Sequence, residues 1–208
     1  MKSPYFKFVE IDKKIIQNFL SQHSELNEYI NADVPFYVRI YKKAYSGLIH
    51  TILGQDQTSE QVNEQWTQLH NYIRKITPKK INKINADILT KILGPAKAGT
   101  VKQITNDVLN GKLNLDDISS YSEESIIKIL SQYHELSLNT IQTFALFACF
   151  KQNVLCSEDE DFKKGLQIFL NKEKIDAQDI NSIKIKYKDQ LTLFSLCMWK
   201  IRNERKGQ

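Results

Sequence analysis

Apolar residues recur every three or four positions along most of this chain, and that period favours helices over strands. Ile11, Ile15, Ile16, Phe19 and Leu20 make one stripe. Tyr41, Ala44, Tyr45, Leu48, Ile49, Ile52 and Leu53 make a longer one, and Val62, Trp66, Leu69, Ile73 and Ile76 a third. The same period predicts further helices over 98–109, 123–131, 140–150, 158–170 and 188–204. Alternation with period two competes only briefly, in the SIKIKY of residues 182–187. Seven glycines and four prolines in 208 residues leave room for short connections and little else. Turn residues cluster at DVP, GQDQ, TPKK, LGPAKAG and NGKLN, which break the helices apart. The expectation is an all-α protein of about ten helices, a single domain over residues 1–208 without linker or repeat.

Several function classes fall away on composition. Three scattered cysteines, Cys149, Cys156 and Cys197, make no disulfide framework and no zinc spacing, and they are too few for a four-cysteine iron–sulfur cluster. The amino terminus, MKSPYFKFVEID, has no long apolar segment of the secretory kind. The apolar run FALFACF is far too short to cross a bilayer. An intracellular protein is therefore expected, with no membrane partner. The net charge of +5 permits a polyanionic partner without demanding one.

Four carboxylates in a row, Glu158 to Asp161, run into Lys163 and Lys164. Ser157 followed three residues later by Glu160 fits a capping box, and acids in a first helical turn suit the helix dipole. That accounts for Ser157, Glu158 and Glu160 without any chemistry. Asp159 is set apart by the residues before it, LSQYHELSLNTIQTFALFACFKQNVLCSEDEDFKKGL. This stretch resembles the end of the helix-hairpin-helix DNA glycosylase superfamily. Leu130, Tyr133, Leu136 and Thr140 hold the spacing of the hairpin motif. TIQTFALFA supplies the apolar helix, and NVLCSEDEDFKKGL the acidic turn with its basic and apolar residues Lys163, Lys164, Gly165 and Leu166. FLSQHSELNEYI, SGLIHTILGQDQTSEQV and the segment from ILGPAKAG to SIIKIL look like earlier stretches of the family, in the same order. The likeness covers roughly residues 18–199 and is nearest the alkyl-base, 3-methyladenine type II branch.

The resemblance implies two helical lobes around a cleft, with the hairpin at about 130–147. It implies a monomer acting on double-stranded DNA that carries a damaged base, an alkylated base among the candidates. The base is rotated out of the duplex and its N-glycosidic bond is hydrolysed, as in base excision repair. The catalytic carboxylate falls on Asp159, beside a sugar that becomes positively charged as the base leaves. Gln55 and Leu93 fall where the family fills the hole left by the extruded nucleotide, although Leu93 could equally be the last core residue of a helix. Lys97, Lys102, Lys163 and Lys164 are candidate phosphate contacts, and Tyr133 and Ser137 lie in the DNA-facing hairpin. Asn139 and Thr143 line the base pocket. Asn139 also takes the place of the lysine that attacks the sugar in some members. An amide cannot form an imine, so a monofunctional enzyme without lyase activity is expected.

The sequence departs from the family at telling places. Glu135 and Ser137 stand where the hairpin has glycines, and His134 where it has proline. A glutamate beside a phosphate costs ~1 kcal/mol in water-like dielectric. The alternative for YHELSLNT is a plain inter-helix turn with Ser137 or Asn139 as N-cap. Asn139 and Thr143 replace aromatic rings that stack on the base, so a preference for cationic alkylpurines does not carry over. Trp199 matches a family tryptophan and shares a helical face with Leu191 and Ser195, which suits a core residue. No cofactor is implied beyond an alkali ion at the hairpin. The alternative function is a catalytically lapsed module of the same fold that binds DNA or a protein partner, and a plain helical interaction domain is what remains if the ordered likeness is accidental.

Overall fold

The computed structural model describes residues 5–206. Its elements run β1 (Phe6–Glu10), α1 (Lys13–Gln22), β2 (Tyr37–Tyr41), α2 (Ala44–Gly54), α3 (Ser59–Ile73), α4 (Pro78–Asn82), α5 (Ala86–Leu93), α6 (Pro95–Leu109), α7 (Glu123–Leu130), α8 (Leu138–Phe147), α9 (Glu160–Leu170), α10 (Ala177–Lys186) and α11 (Leu191–Lys206), with short 3₁₀ turns at Ser24–Glu28 and Ile118–Ser120. The all-α expectation holds, with one addition. β1 and β2 form a two-stranded sheet. The Ile11 amide donates to Phe36 and the Lys42 amide to Tyr5, so the strands run antiparallel. The alternating stretch 182–187 is not a strand; most of it lies in α10.

The chain divides into two compact units. Residues 5–7 and 41–150 make the first, and 8–40 with 151–206 the second. In the first, α2 is the central helix: Tyr45 to Leu53 are buried without a break. A helix apolar on every side belongs in a core, and α2 packs against α3, α6 and α8. The hairpin α7–α8 follows, joined by residues 131–137. Among the described residues none of these seven has a positive φ, so the turn needs no glycine. Glu135 and Ser137 therefore sit where the family has glycines without backbone strain.

In the second unit α9 lies against α11. Phe162, Leu166, Phe194 and Met198 are fully buried there. Rings continue the core outward, Tyr187 to Phe194 at 4.1 Å and His23 to Tyr187 at 4.4 Å. Tyr187 places its hydroxyl on Glu25 at 2.6 Å, and Lys186 places its ammonium 2.9 Å from the same oxygen. Partial burial would raise the Glu25 pKa, but these two donors outweigh it and hold the carboxyl down at about 2, against an ordinary 4.5. A depressed carboxyl stabilises the fold above its unfolded pKa, and the contribution is lost as pH falls from about 4.5 toward 2. The side chain keeps 36% of its exposure, so screening limits the effect to ~1 kcal/mol. Urea unfolding should find Glu25→Gln less stable than wild type at pH 7 and nearly equal to it at pH 2. A constant difference between the two pH values would show that this carboxylate carries no linkage.

Candidate functional site

Asp159 does two jobs with one oxygen. It is the N-cap of α9, and its Oδ1 accepts from the Phe162 amide at 2.8 Å. The same oxygen accepts from Trp199 Nε1 at 2.7 Å. Its second oxygen, Oδ2, carries no hydrogen bond or ion pair among the described residues. The side chain is half-buried. Two N–H donors from different helices thus fix the carboxylate in one rotamer and leave one oxygen unengaged.

The capping box expected at Ser157 is not formed. The Ser157 amide donates to Leu155 and the Asp159 amide to Cys156, so residues 155–159 make tight turns before the helix begins at Glu160. Of the four acids, Asp159 caps. Glu158 and Glu160 lie 3.5 and 3.3 Å from Lys163 Nζ, and Asp161 lies 3.5 Å from Arg202 Nε. Lys163 is therefore occupied by carboxylates, whose charge raises its pKa despite partial desolvation, and its positive charge is neutralised locally. A phosphate would have to compete with two carboxylates for this ammonium. Lys164 is exposed. Trp199 is half-buried and is not merely a core residue, since its indole orients Asp159.

The first unit gathers a second constellation. Gln55 leaves the end of α2 and braces the hairpin turn. Its Nε2 donates to the Glu135 carbonyl at 2.8 Å, while its Oε1 accepts from the Ser137 amide at 3.1 Å and the Thr140 hydroxyl at 2.8 Å. Ser137 N-caps α8, its hydroxyl accepting from the Thr140 amide. The inter-helix turn with Ser137 as cap is thus the arrangement present. The Leu136 amide is also taken, by Tyr133 O at 2.8 Å. A phosphate bridged by an alkali ion would need free backbone groups here, and one glutamine closes two of them. These residues do not fit such an ion.

Other candidates sit differently from expectation. Leu93, at 3% exposure, is a core residue at the end of α5 and presents no wedge, which decides between the two readings of it. Tyr133 is buried as well, and its hydroxyl donates to Asp107 at 2.8 Å, so its side chain serves the core and not a DNA surface. Lys97 is partly buried and donates to the Leu53 carbonyl at 2.8 Å, closing the last turn of α2. Burial lowers its pKa, with Asp56 acting in the opposite sense. Lys102 is spent on the carbonyls of Ile81, Asn82 and Ile84. Neither lysine is a free phosphate contact. Asn139 and Thr143 lie half-buried on one face of α8 with Gln142 between them, and the amide oxygens of Asn139 and Gln142 are buried without a hydrogen-bond partner among the described residues. All three cysteines are buried thiols. Burial pushes Cys156 up, and Cys197 up to about 12, so neither is a nucleophile at neutral pH.

No family model matches the chain. Structures with known folds do. A DNA-3-methyladenine glycosidase from Bacillus halodurans superposes with a TM-score of 0.80 at 14% identity, over 97% of this chain and 95% of that one. The fold is that of the helix-hairpin-helix DNA glycosylases. An 8-oxoguanine glycosylase/lyase of Clostridium acetobutylicum, in complex with double-stranded DNA containing cytosine opposite 8-oxoG, shares this glycosylase fold with a TM-score of 0.75 at 14% identity, covering 94% of this chain and 71% of that one. The 3-methyladenine DNA glycosylase Mag1 of Schizosaccharomyces pombe, in complex with abasic DNA, gives 0.64 at 17%, over 79% and 82%. In sequence, the alkylbase DNA glycosidase-like protein mag2 of Schizosaccharomyces pombe is 22% identical over 172 residues, 79% of this chain and 81% of its own. These matches bear out the resemblance read from the ordered sequence segments. Among the described residues no helix is long and apolar enough to cross a membrane.

Proposed function

We propose that this protein is a monofunctional DNA glycosylase that releases a damaged, flipped-out base from duplex DNA. The observation that carries the reading is Asp159, a carboxylate with one oxygen fixed by Phe162 and Trp199 and the other unengaged. In the reaction the bond between C1′ and the base nitrogen breaks, and its electron pair leaves with the base. Water adds to C1′, and its proton ends on the departing base. The carboxylate stabilises the positive sugar while that charge lasts. At ~4 Å and an effective dielectric of ~20 the attraction is about 4 kcal/mol. That is roughly a thousandfold in rate.

Asn139 offers no amine, and α8 holds no lysine at all. An abasic site is therefore the end product. The base pocket along α8 is polar, with Asn139, Gln142 and Thr143 in place of stacking rings. Duplexes carrying a single alkylated, deaminated or oxidised base provide the test. Release of one of them should leave intact strands until alkali is added, and borohydride should trap no covalent complex. A trapped adduct would overturn the monofunctional assignment. The bracing of the hairpin turn by Gln55, with Glu135 in the turn, favours the second reading, a lapsed module that keeps the fold and binds DNA or a protein. Failure to release any base in the panel would decide for it.

A further inference from the structure

The turn between α3 and α4 concentrates positive charge in a way the rest of the surface does not. No carboxylate occurs from Gln65 to Ala86, while Arg74, Lys75, Lys79, Lys80 and Lys83 all fall there. Arg74, Lys75, Lys79 and Lys83 are exposed, and none of the four forms an ion pair among the described residues. Several lysines elsewhere do form ion pairs, among them Lys112 with Asp107, Lys172 with Asp179 and Lys186 with Glu25.

The backbone of this turn is strained and clamped. Arg74 has φ 56° and ψ −37°, and the Lys75 amide donates to Ile73 O at 2.6 Å. This is a γ-turn with positive φ at a residue that is not glycine, a rare conformation that persists only where its surroundings over-determine it. Here they do. Tyr5 Oη donates to Arg74 O at 2.8 Å, and Lys80 Nζ to Ile73 O at 2.9 Å. Tyr5 is held in turn by Trp66, edge-on at 4.9 Å. Lys102 ties down carbonyls at the far end of α4. Lys80 thus holds the turn and Lys102 the end of the helix that follows, while four other cations face water.

We propose that Arg74, Lys75, Lys79 and Lys83 form a docking surface for the backbone phosphates of duplex DNA, separate from the hairpin. The inference rests on the glycosylase reading for its partner. The hairpin has surrendered the Leu136 and Ser137 amides and carries Glu135, so it offers a phosphate less than a glycine hairpin would, and a second cationic surface would add what it lacks. A fixed array of unpaired cations suits a stiff polyanion with regular charge spacing better than a fluid lipid surface.

The test is binding of an undamaged 20-base-pair duplex at several salt concentrations, using the whole chain. Replacing all four residues with Ser should weaken binding at least about tenfold at 0.1 M salt and make the slope of log affinity against log salt shallower by about 3. Arg74→Gly is the second variant. Glycine accepts this φ without strain, so its Tm should hold or rise while duplex affinity falls. An unchanged salt slope in the fourfold variant overturns the proposal. So does loss of binding to anionic phospholipid vesicles with duplex affinity unmoved, which would make this a membrane-facing patch. Base release is measured separately: release with an unchanged slope removes the patch alone, and a shifted slope without release removes the glycosylase reading while leaving the DNA surface in place.

Discussion

Asp159→Asn should lower single-turnover base release about a thousandfold and leave the fold intact. The substitution isolates charge from structure with unusual clarity at this site. Asparagine is as good an N-cap as aspartate. Its Oδ1 can accept from both the Phe162 amide and Trp199 Nε1, the two bonds that hold the native side chain. What is lost is the negative charge. If the only role of Asp159 were to cap α9, the variant would release base at the native rate with a Tm within a degree or two of wild type. If the carboxylate stabilises the positive sugar, the rate falls by the ~4 kcal/mol estimated from Coulomb's law, while duplex binding is kept. Unimpaired release by Asp159→Asn sinks the catalytic assignment outright. A parallel loss of rate and of Tm would show that the cap was the larger contribution.

What the sequence reveals here, and what it conceals, follows from range. The helices were legible because their period is local: Leu48, Ile49, Ile52 and Leu53 announce a buried α2 with no knowledge of its neighbours. Their ends were less so. The Ser157–Glu160 spacing satisfies the capping-box pattern, yet Asp159 wins the cap because the chain turns twice first, at Leu155 and Cys156. The strands Phe6–Glu10 and Tyr37–Tyr41 were missed, being only five residues each, although the β-branched and aromatic YVRIY carried a weak signal. The candidate site stands out in the sequence through one acid, and what surrounds that acid does not. Gln55 reads as a DNA-facing residue in a polar turn, and its bracing role stays hidden because its partners, Glu135, Ser137 and Thr140, are 80 residues or more away. Trp199 reads as core because its indole nitrogen meets Asp159 across 40 residues of chain. Leu93 and Tyr133 are candidate DNA contacts by resemblance alone, and the structure buries both. Side-chain bonds of long range decide such cases, and a single sequence does not display them.

Gly165→Ala should be among the most destabilising single-methyl additions in the protein. The glycine of the KKGL stretch lies in α9 where that helix meets α11. A Cβ placed on it would stand 2.0 Å from the carbonyl oxygen of Met198 and 2.6 Å from its carbonyl carbon. Both are backbone atoms of α11, so no rotamer change relieves the clash and the helices must part. Overpacking of a core typically costs 1–3 kcal/mol, and a backbone collision belongs at or above the top of that range. The better helix propensity of alanine returns only about 1 kcal/mol. A net loss of ~3 kcal/mol corresponds to roughly a 10 °C fall in Tm for a chain of this size. Gly99→Ala is the control. Gly99 lies exposed in α6, and a Cβ there meets nothing within 4 Å, so the same substitution should stabilise by about 0.5–1 kcal/mol. The clash also bears on function, because Met198 immediately precedes Trp199. Displacing α11 moves the indole that pins Asp159, so base release by the folded fraction should fall as well. Equal and small changes in Tm for the two alanine variants would mean that α9 and α11 lie farther apart than this packing requires.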